Sequence, residues 1–458
     1  MLGRSVKILV TGASGLVGKA LITELQINGH EVFALVRNPS KISELDRKNI
    51  YKWDESQLPP IESLRGKDAV INLVGEGIAD KLWTEKRKRN LRDSRLVNTI
   101  NLGNALKSLA SADRPKILIS ASAIGIYGHS QDKVFDEASP KGPDFLAELC
   151  AEWEAAANLD ASLNIRIVNM RLGIVLSKNG GFLGKMAPVI LGNGQQWTSW
   201  VHISDVVRFA QEALVNPNVQ GPYNITSSSP IKNVDLTQIY AKKMGFPIVA
   251  RIPETLLKLV LGEMSTAVLS SQRVLPNRLL STGFNFQYNQ FNDAIDEIYG
   301  NDNFLDNYHT VNQFIAATKE KVFHFFSLAE NLELITPPWL NFKITKKSAS
   351  EITENILIDY KLKIHGVPVK WRTKISSWRP DDQFVDDQLK GPYTKWHHVH
   401  LFYKVAGGTL IRDEVTFRVP GSFIGKLFLT ALIRKDVNTI FSYRQKVISE
   451  LQQSGKLD

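Results

Sequence analysis

The sequence predicts two folds in succession: an α/β fold built on a doubly wound parallel sheet, and then an α+β domain. Three observations predict this. An apolar strand at residues 7–11 breaks into a glycine-rich turn at 12–18 and continues as an amphipathic segment. Apolar strands and helical segments then alternate as far as residue 300, which is typical of a parallel sheet with right-handed crossovers. Beyond residue 305, a period of two dominates and indicates antiparallel strands.

Length and composition agree with this division. With 458 residues, 43% of them hydrophobic and 22% charged, the chain is a globular protein of more than one domain. Its net charge of +10 fits acidic partners such as nucleotides, although the basic stretch at 86–95 is more typical of a solvated helix face. Cys150 is the only cysteine, so we expect no internal disulfide and a reducing, cytoplasmic compartment. No membrane span, secretory signal or nucleic-acid motif is recognised, and the sequence does not indicate an oligomeric state.

The glycine turn is typical of a dinucleotide cradle. Gly12 permits a tight turn, Gly15 lets the backbone approach a pyrophosphate, and Gly18 lets helix and strand pack closely. The amino end of the following helix supplies amide groups and a positive dipole end. The next strand, residues 31–36, ends at Arg37, where an acidic residue would select NAD. A guanidinium instead suits a 2′-phosphate, so Arg37 predicts NADP; the alternative is a plain surface arginine.

Later motifs occur in the order expected of one superfamily. After TGASGLVG come INLVGEGIADKLWT at 71–84, DSR at 93–95, SASAIGIYG at 120–128, RLGIVLSKNGG at 171–181 and WVHISDVV at 200–207. Together they resemble the extended short-chain dehydrogenase/reductases, and within them the YfcH type, described as nucleotide-sugar epimerases. The resemblance covers residues 7–299 and implies an NADP-binding domain at 1–300, with a substrate lobe mainly at 177–200 and 224–300. It also implies a set of residues that line the cofactor: Gly12, Ala13, Ser14, Gly15, Leu16, Val17, Val36, Arg37, Leu73, Val74, Gly75, Asn90, Arg95 and Val175.

The catalytic pattern of that superfamily is incomplete in this chain. The resemblance implies a Ser or Thr with a Tyr-x-x-x-Lys pair, and Ser122 supplies the hydroxyl. The window where the pair is expected, residues 144–154, contains neither Tyr nor Lys. Tyr127 is the first candidate to replace the missing acid or base, ahead of Glu148 and Cys150. Each of the three also has a plain structural interpretation, as turn packing, a surface charge or a small core residue.

Other polar and aromatic residues of this region have structural interpretations as well. His202 and Asp205 resemble a structural corner of the superfamily rather than a metal site or a triad. Trp197 and Trp200 can stack on a sugar or a base, but a place in the core is the commoner fate of tryptophan. Asp54, after the third strand, is a guess for a contact to adenine.

The last part of the chain predicts a helix-grip domain. A strand is expected at 307–316, short helices capped by Thr318 and Ser327, a curved antiparallel sheet, and a long amphipathic helix at 423–451. With TPPW at 336–339, FVDDQ at 384–388, GPY at 391–393, WHHVH at 396–400 and Asp413, residues 305–458 resemble the START-like (SRPBCC) superfamily. This resemblance implies a cavity for a small apolar ligand between sheet and helix.

His398 and His400 share one face of a predicted strand. Two such histidines can bind a metal, but the sequence places no third ligand, so the wall of a cavity is the preferred interpretation and no metal is predicted. Two functions compete for the whole chain. The first is an NADP-dependent oxidoreductase or epimerase acting on a hydroxyl or carbonyl substrate; the second is a catalytically silent NADP-binding sensor.

Overall fold

The computed structural model describes residues 5–246, 249–349, 352–421 and 423–457, with side chains described outside 423–428 and 431. The chain divides into two compact units. The first runs from the start of the described chain to Leu25 and includes His30–Ile42 and Lys48–Asn301. The second holds Gln26–Gly29, Ser43–Arg47 and the chain from Asp302 onward. No helix in the described ranges has both the length and the apolar composition needed to cross a membrane.

The first unit is built on a parallel sheet of seven strands in the order β12-β7-β5-β4-β1-β2-β3. Its strands are β1 (Lys7–Thr11), β2 (Glu31–Val36), β3 (Ile50–Lys52), β4 (Ala69–Asn72), β5 (Ile117–Ala123), β7 (Arg166–Leu172) and β12 (Gly221–Ile225). Short strands form two-stranded pairs beside it: β6 (Val134–Phe135), β8 (Ile174–Leu176), β9 (Val189–Leu191), β10 (Trp197–Thr198), β11 (Trp200–His202), β13 (Ile231–Lys232), β14 (Ala250–Ile252) and β15 (Arg273–Val274).

Helices follow most strands of this unit, as a doubly wound sheet requires. They are α1 (Leu16–Ile27), α2 (Ile61–Leu64), α3 (Glu85–Ser108), α4 (Phe145–Ala157), α5 (Gly181–Lys185), α6 (Ile203–Val215), α7 (Asn233–Met244), α8 (Glu254–Leu261), α9 (Ser265–Leu269), α10 (Asn277–Ser281) and α11 (Phe291–Tyr299). Strand β4 is buried at every residue, and β1 and β5 are buried except for one end residue each, because helices cover both faces of the sheet. The strand order reverses between β1 and β4, where open α/β sheets bind their ligands.

The second unit is an antiparallel sheet of seven strands in the order β16-β22-β21-β20-β19-β18-β17. The strands are β16 (Asp306–Ile315), β17 (Lys343–Lys347), β18 (Leu357–Ile364), β19 (Val367–Arg379), β20 (Gln383–Lys390), β21 (Lys395–Val405) and β22 (Gly408–Arg418), and the helices are α12 (Lys319–Ser327), α13 (Ala329–Leu334) and α14 (Phe423–Gln453). Residues of α14 share a core cluster with strands β16, β20, β21 and β22. This is the predicted helix-grip arrangement.

Two details differ from the sequence prediction. The fourth strand ends at Asn72 instead of continuing to Gly75, because the chain turns there to lie against Gly12. The prediction that Ser327 caps a second helix is wrong: Ser327 ends α12 and its hydroxyl donates to His324 O at 2.8 Å. Helix α13 starts after Leu328 with no side-chain cap. Thr318 does cap α12, by accepting a hydrogen bond from the N–H of Lys321.

Candidate functional site

The turn between β1 and α1 is shaped for close approach of other atoms. Gly12 has a φ of +63°, and a Cβ at this position would lie 2.5 Å from Leu73 O. A Cβ at Gly18 would lie 2.5 Å from Gly12 O, so α1 packs directly on the turn. Ser14 and Gly15 are exposed at the start of the helix. This open backbone, at the positive end of the helix dipole, suits a phosphate group.

Hydrogen bonds hold the neighbouring strand ends beside the turn. The hydroxyl of Thr11 donates to Asn72 Oδ1 at 2.7 Å and accepts from the N–H of Leu73 at 3.2 Å. Asn72 Nδ2 donates to the hydroxyl of Thr99 on α3 at 3.0 Å. Because Thr11 and Asn72 are fully buried, these bonds fix the loop after β4 relative to the glycine turn.

Most of the predicted cofactor residues meet at this edge of the sheet. Strands β1, β2 and β4 pair in parallel, so their carboxyl ends lie side by side. Val175 lies near the same turn, since both it and Leu16 are close to Gly181. A Cβ at Gly181 would be 2.8 Å from Leu16 Cδ2 and 3.7 Å from Val175 O. The predicted residues found here are Gly12, Ala13, Ser14, Gly15, Leu16, Val17, Val36, Arg37, Leu73, Val74, Gly75 and Val175.

Arg37 stands at the end of β2 with 69% of its side chain exposed. Its Nε lies 3.5 Å from Glu55 Oε1, and burial raises the pKa of Glu55 although Arg37 acts in the opposite direction. The guanidinium therefore has room for a second anionic partner. Asp54, the guess for an adenine contact, accepts hydrogen bonds from the N–H and hydroxyl of Ser56 in this structure.

Arg95 and Asn90 are placed differently from the other predicted cofactor residues. Arg95 is buried, donates to Leu91 O and Glu76 O, and its guanidinium lies 5.1 Å from the ring centroid of Trp153. It braces the loop after β4 from within the protein, and burial lowers its pKa. Asn90 is exposed on α3. A contact of either residue with a cofactor stays a prediction.

Ser122 and Tyr127 belong to one buried polar network. The hydroxyl of Ser122 donates to Glu154 Oε1 at 2.7 Å, and Arg171 donates to both oxygens of Glu154 at 2.8 Å. Arg171 also donates to the hydroxyl of Tyr127 at 2.8 Å, and that hydroxyl donates to Asn224 Oδ1 at 2.7 Å. The sequence predicted Ser122 and Tyr127 but missed Glu154 and Arg171, which join them.

The environment of each candidate acid or base decides what it can do. Tyr127 is 3% exposed, and burial raises its pKa in spite of Arg171. Cys150 lies in a core cluster, and burial raises its pKa to about 12, which makes the thiol unreactive. Glu148 is exposed on α4, and Ser122 is 2% exposed. The hydroxyls of Ser122 and Tyr127 thus reach a substrate only if their hydrogen-bond network rearranges. Their catalytic roles stay predictions.

His202 and Asp205, which were expected to form a structural corner, stand at the start of α6. The imidazole of His202 caps α6 and lies 2.9 Å from Glu297, while Asp205 accepts from the backbone N–H groups of Gln287 and Tyr288. Trp200 is fully buried in the core. His202 and Asp205 thus hold the start of α6 against the segment at 287–297 and are not arranged as a triad.

Trp197 is the more accessible of the two tryptophans that were considered for stacking on a substrate. It is half-buried, with the guanidinium of Arg273 at 4.6 Å and the Nζ of Lys232 at 5.5 Å from its ring. Stacking of Trp197 on a substrate stays a prediction.

The second unit contains an apolar cavity of about 200 Å³ between its sheet and its helices. Aliphatic residues of β18 point into it with aromatic side chains of the neighbouring strands, and Val437, Ile440 and Phe441 of α14 close the opposite side. The aromatic rings on this side of the cavity are Tyr360, Trp371, Phe384 and Trp396 of the strands and Tyr393 of the turn between β20 and β21.

One wall of this cavity carries a polar cluster. The Nδ1 of His398 and the Nε2 of His400 lie 3.3 and 3.1 Å from Asp386 Oδ2. The opposite ring edges, His398 Nε2 and His400 Nδ1, lie 3.2 and 2.7 Å from Asp413 Oδ1. Burial alone would raise the pKa of Asp413, but Arg444 and the two imidazoles hold it well below its usual range. The sequence had predicted the two histidines as cavity wall but not their acidic neighbours.

Fold and site together define a Rossmann-type dinucleotide-binding unit followed by a helix-grip unit. Comparison with known proteins makes the assignment more specific. Residues 8–226 match the NAD dependent epimerase/dehydratase family, residues 252–298 a domain of unknown function (DUF1731), and residues 315–441 the polyketide cyclase / dehydrase and lipid transport family. The chain belongs to the epimerase family of extended short-chain dehydrogenase/reductases and carries a C-terminal domain of the polyketide cyclase, START-like type.

Similar proteins and solved structures support the family assignment. The chain is 37% identical over 302 residues to the chloroplastic epimerase family protein SDR39U1 homolog of Arabidopsis thaliana, covering 64% of this chain and 86% of that protein. It is similar to the human epimerase family protein SDR39U1, solved with NADPH, at 30% identity and a TM-score of 0.57, over 64% of this chain and 98% of that one. The nucleoside-diphosphate sugar epimerase of Corynebacterium glutamicum matches at 30% identity and a TM-score of 0.52, over 66% of this chain and 59% of that one.

Proposed function

We propose that the first unit binds NADP and uses it to oxidise, reduce or epimerise a substrate at a carbon that bears a hydroxyl or carbonyl. The observation that carries this is the glycine turn, in which Gly12 and Gly18 leave no space for a Cβ, beside the exposed Arg37. The guanidinium fork of Arg37 suits the 2′-phosphate that distinguishes NADP from NAD. The similarity to a human relative crystallised with NADPH supports the same cofactor.

The reaction would pass a hydride between the nicotinamide and the carbon that bears the oxygen. Ser122 is the first candidate to hold that oxygen, because it stands near the end of β5 with the carboxylate of Glu154 as its hydrogen-bond acceptor. Tyr127 is the second candidate, since its hydroxyl is already bonded to Arg171 and Asn224. The family match favours an enzyme over the silent sensor, even though α4 lacks the Tyr-x-x-x-Lys pair.

The proposed substrate class is a nucleotide sugar, acted on in the cytoplasm by an enzyme of the YfcH type. The likeness to the Corynebacterium glutamicum nucleoside-diphosphate sugar epimerase supports this class. For the second unit we propose that the cavity binds a small, largely apolar ligand. Its aromatic wall and the match to a family of polyketide cyclases and lipid transport proteins support this.

The test is an anaerobic titration of the full chain with NADPH, followed by time courses with nucleotide sugars and small carbonyl compounds. We expect tight NADPH binding and oxidation, or epimerised product, with at least one of them. Ser122→Ala should lower turnover by about 100-fold or more at unchanged NADPH affinity. Ser63→Ala is the matched control, because Ser63 is also a buried serine with a hydroxyl bonded to one protein acceptor, Pro60 O. Failure to bind NADPH, or unaltered turnover in Ser122→Ala, would refute the corresponding part.

A further inference from the structure

We propose that the cavity of the second unit is a binding site for a divalent transition-metal ion, held by Asp386, His398 and His400. The carboxylate and imidazole atoms of these residues lie within 4.8 Å of one another, and all three residues line the cavity. The inference stands on the second unit alone and does not depend on NADP binding or on the reaction proposed for the first unit.

The pairing of three adjacent strands produces the site. His398 and His400 lie two residues apart on β21, so their side chains leave the same face of the sheet. On one side, Asp386 of β20 is the direct partner of His398; on the other side, Asp413 of β22 is the direct partner of His400. Since directly opposed residues share a face, all four groups point the same way.

The two distances from the carboxylate oxygen to the imidazole nitrogens fit a bound ion. Ligand atoms about 2.0–2.1 Å from an ion, at tetrahedral or octahedral angles, are about 2.9–3.4 Å apart. Asp386 Oδ2 lies 3.3 Å from His398 Nδ1 and 3.1 Å from His400 Nε2. An ion at their centre would replace the protons that these atoms otherwise share.

Asp413 lies beside the second ring nitrogen of both imidazoles and forms a hydrogen bond with that of His398. Its Oδ1 lies 3.2 Å from His398 Nε2 with hydrogen-bond geometry, and 2.7 Å from His400 Nδ1, a close contact whose alignment is too poor for a hydrogen bond. A proton on each of these nitrogens leaves His398 Nδ1 and His400 Nε2 unprotonated toward Asp386. Metal-binding histidines are commonly oriented by a carboxylate on the second ring nitrogen in this manner.

Charge and access favour an ion with open coordination positions. A metal ion that displaces the protons between the imidazoles and Asp386 leaves the imidazoles neutral, and two carboxylates then face the ion with one nearby cation, Arg444. Two imidazoles and one carboxylate form the donor set of catalytic zinc and non-haem iron sites, which keep positions free for water or substrate. Here those positions face the apolar cavity, so a ligand with a carbonyl or hydroxyl oxygen would bind with that oxygen on the metal.

The experiment uses the full chain without an affinity tag, stripped of metal with a chelator and titrated with Zn²⁺ by calorimetry; Co²⁺ absorption reports the ligand geometry. We expect about one Zn²⁺ per chain. Asp386→Asn and His398→Ala should lower the affinity by about 100-fold or more, and Asp413→Asn by about 10- to 100-fold, the usual effect of removing an orienting carboxylate.

His397→Ala is the matched control. His397 lies next to His398 on the same strand but on its opposite face, 43% exposed and 2.7 Å from Asp387. The control should bind Zn²⁺ as the natural chain does. Circular dichroism and thermal unfolding show whether each variant is folded, and Asp386→Asn, which keeps the size of the side chain, decides the test if His398→Ala does not fold. A stripped chain that takes up no Zn²⁺, or equal affinity in Asp386→Asn and the natural chain, would overturn the proposal and leave a proton-sharing cluster.

Discussion

Reversing the charge at the end of β2 should separate NADPH binding from NADH binding. The side chain of Arg37 is 69% exposed and its one described ion pair, with Glu55, is long at 3.5 Å, so little stability depends on it. A charge-assisted bond to phosphate contributes about 1.5–3 kcal/mol, which corresponds to about 10- to 100-fold in Kd. Arg37→Glu removes that bond and adds repulsion. We therefore expect NADPH affinity to fall by at least about 10-fold and NADH affinity to change little.

Fluorescence titration with each cofactor measures both affinities on the same protein. Arg65→Glu is the matched control: the side chain of Arg65 is 59% exposed, and its Nε also lies 3.5 Å from a carboxylate oxygen, that of Asp113. This arginine follows α2, before β4 begins, and so lies away from the carboxyl ends of the strands. Equal losses of NADPH and NADH in Arg37→Glu, or the same selective loss in the control, would refute the assignment of the 2′-phosphate.

Three further predictions concern stability and reactivity. Gly12→Ala should lower the thermal midpoint and abolish NADPH binding, because a Cβ at Gly12 has no space. Gly66→Ala is the control: Gly66 has a similar φ of +65° but open space around it, so it should incur only the conformational cost of about 1–3 kcal/mol. Equal effects of the two substitutions would contradict the tight packing at Gly12. Glu154→Gln should lower the free energy of unfolding in urea by about 3–5 kcal/mol, because it leaves the buried charge of Arg171 unpaired. Glu152→Gln is the control, because Glu152 pairs with Arg92 in a more exposed position, and it should cost at most about 1 kcal/mol. Similar losses in the two variants would argue against the buried network. Cys150 should resist thiol reagents at pH 8 until the chain unfolds, because burial raises the pKa of its thiol to about 12. As the pH rises, the unfolded chain loses this proton before the folded chain does, so the free energy of unfolding should decline above about pH 9.

The sequence predicts the first unit well where the signal is local. Residues 31–36 form β2 as expected, since an unbroken apolar run bounded by a glycine and a polar turn has few alternatives. The end of β4 was placed too late because Leu73 and Val74 are apolar and continue the strand pattern. What stops the strand is a contact with Gly12, a residue far away in the chain, and a local pattern does not contain that information.

The candidate functional residues show the same difference between local motifs and contacts made by distant parts of the chain. The glycine turn and Arg37 are recognisable because the motif and its spacing occur within one strand-helix-strand unit. Arg171 stands in the motif at 171–181 and Glu154 in the window at 144–154, and neither pattern predicts that the two side chains pair. Their partnership with Ser122 arises because Ser122 and Arg171 are direct neighbours on β5 and β7 and because α4 packs against β5. A pattern of acidic and basic residues in three separate elements gives no signal before the sheet order is known.

The two buried polar clusters of this chain differ in a way that bears on function. In the first unit, Glu154 and Arg171 neutralise each other, and the hydroxyls around them donate and accept within the protein, so the network closes on itself. Such a network mainly fixes geometry. In the second unit, the carboxylates of Asp386 and Asp413 are balanced by Arg444 together with protons held on the neighbouring imidazoles, and this cluster faces a cavity. A buried cluster of this kind needs a proton or a cation from outside, and its position on a cavity wall allows that partner to enter. The cluster on the cavity wall therefore makes the second unit, as well as the first, a candidate for chemistry.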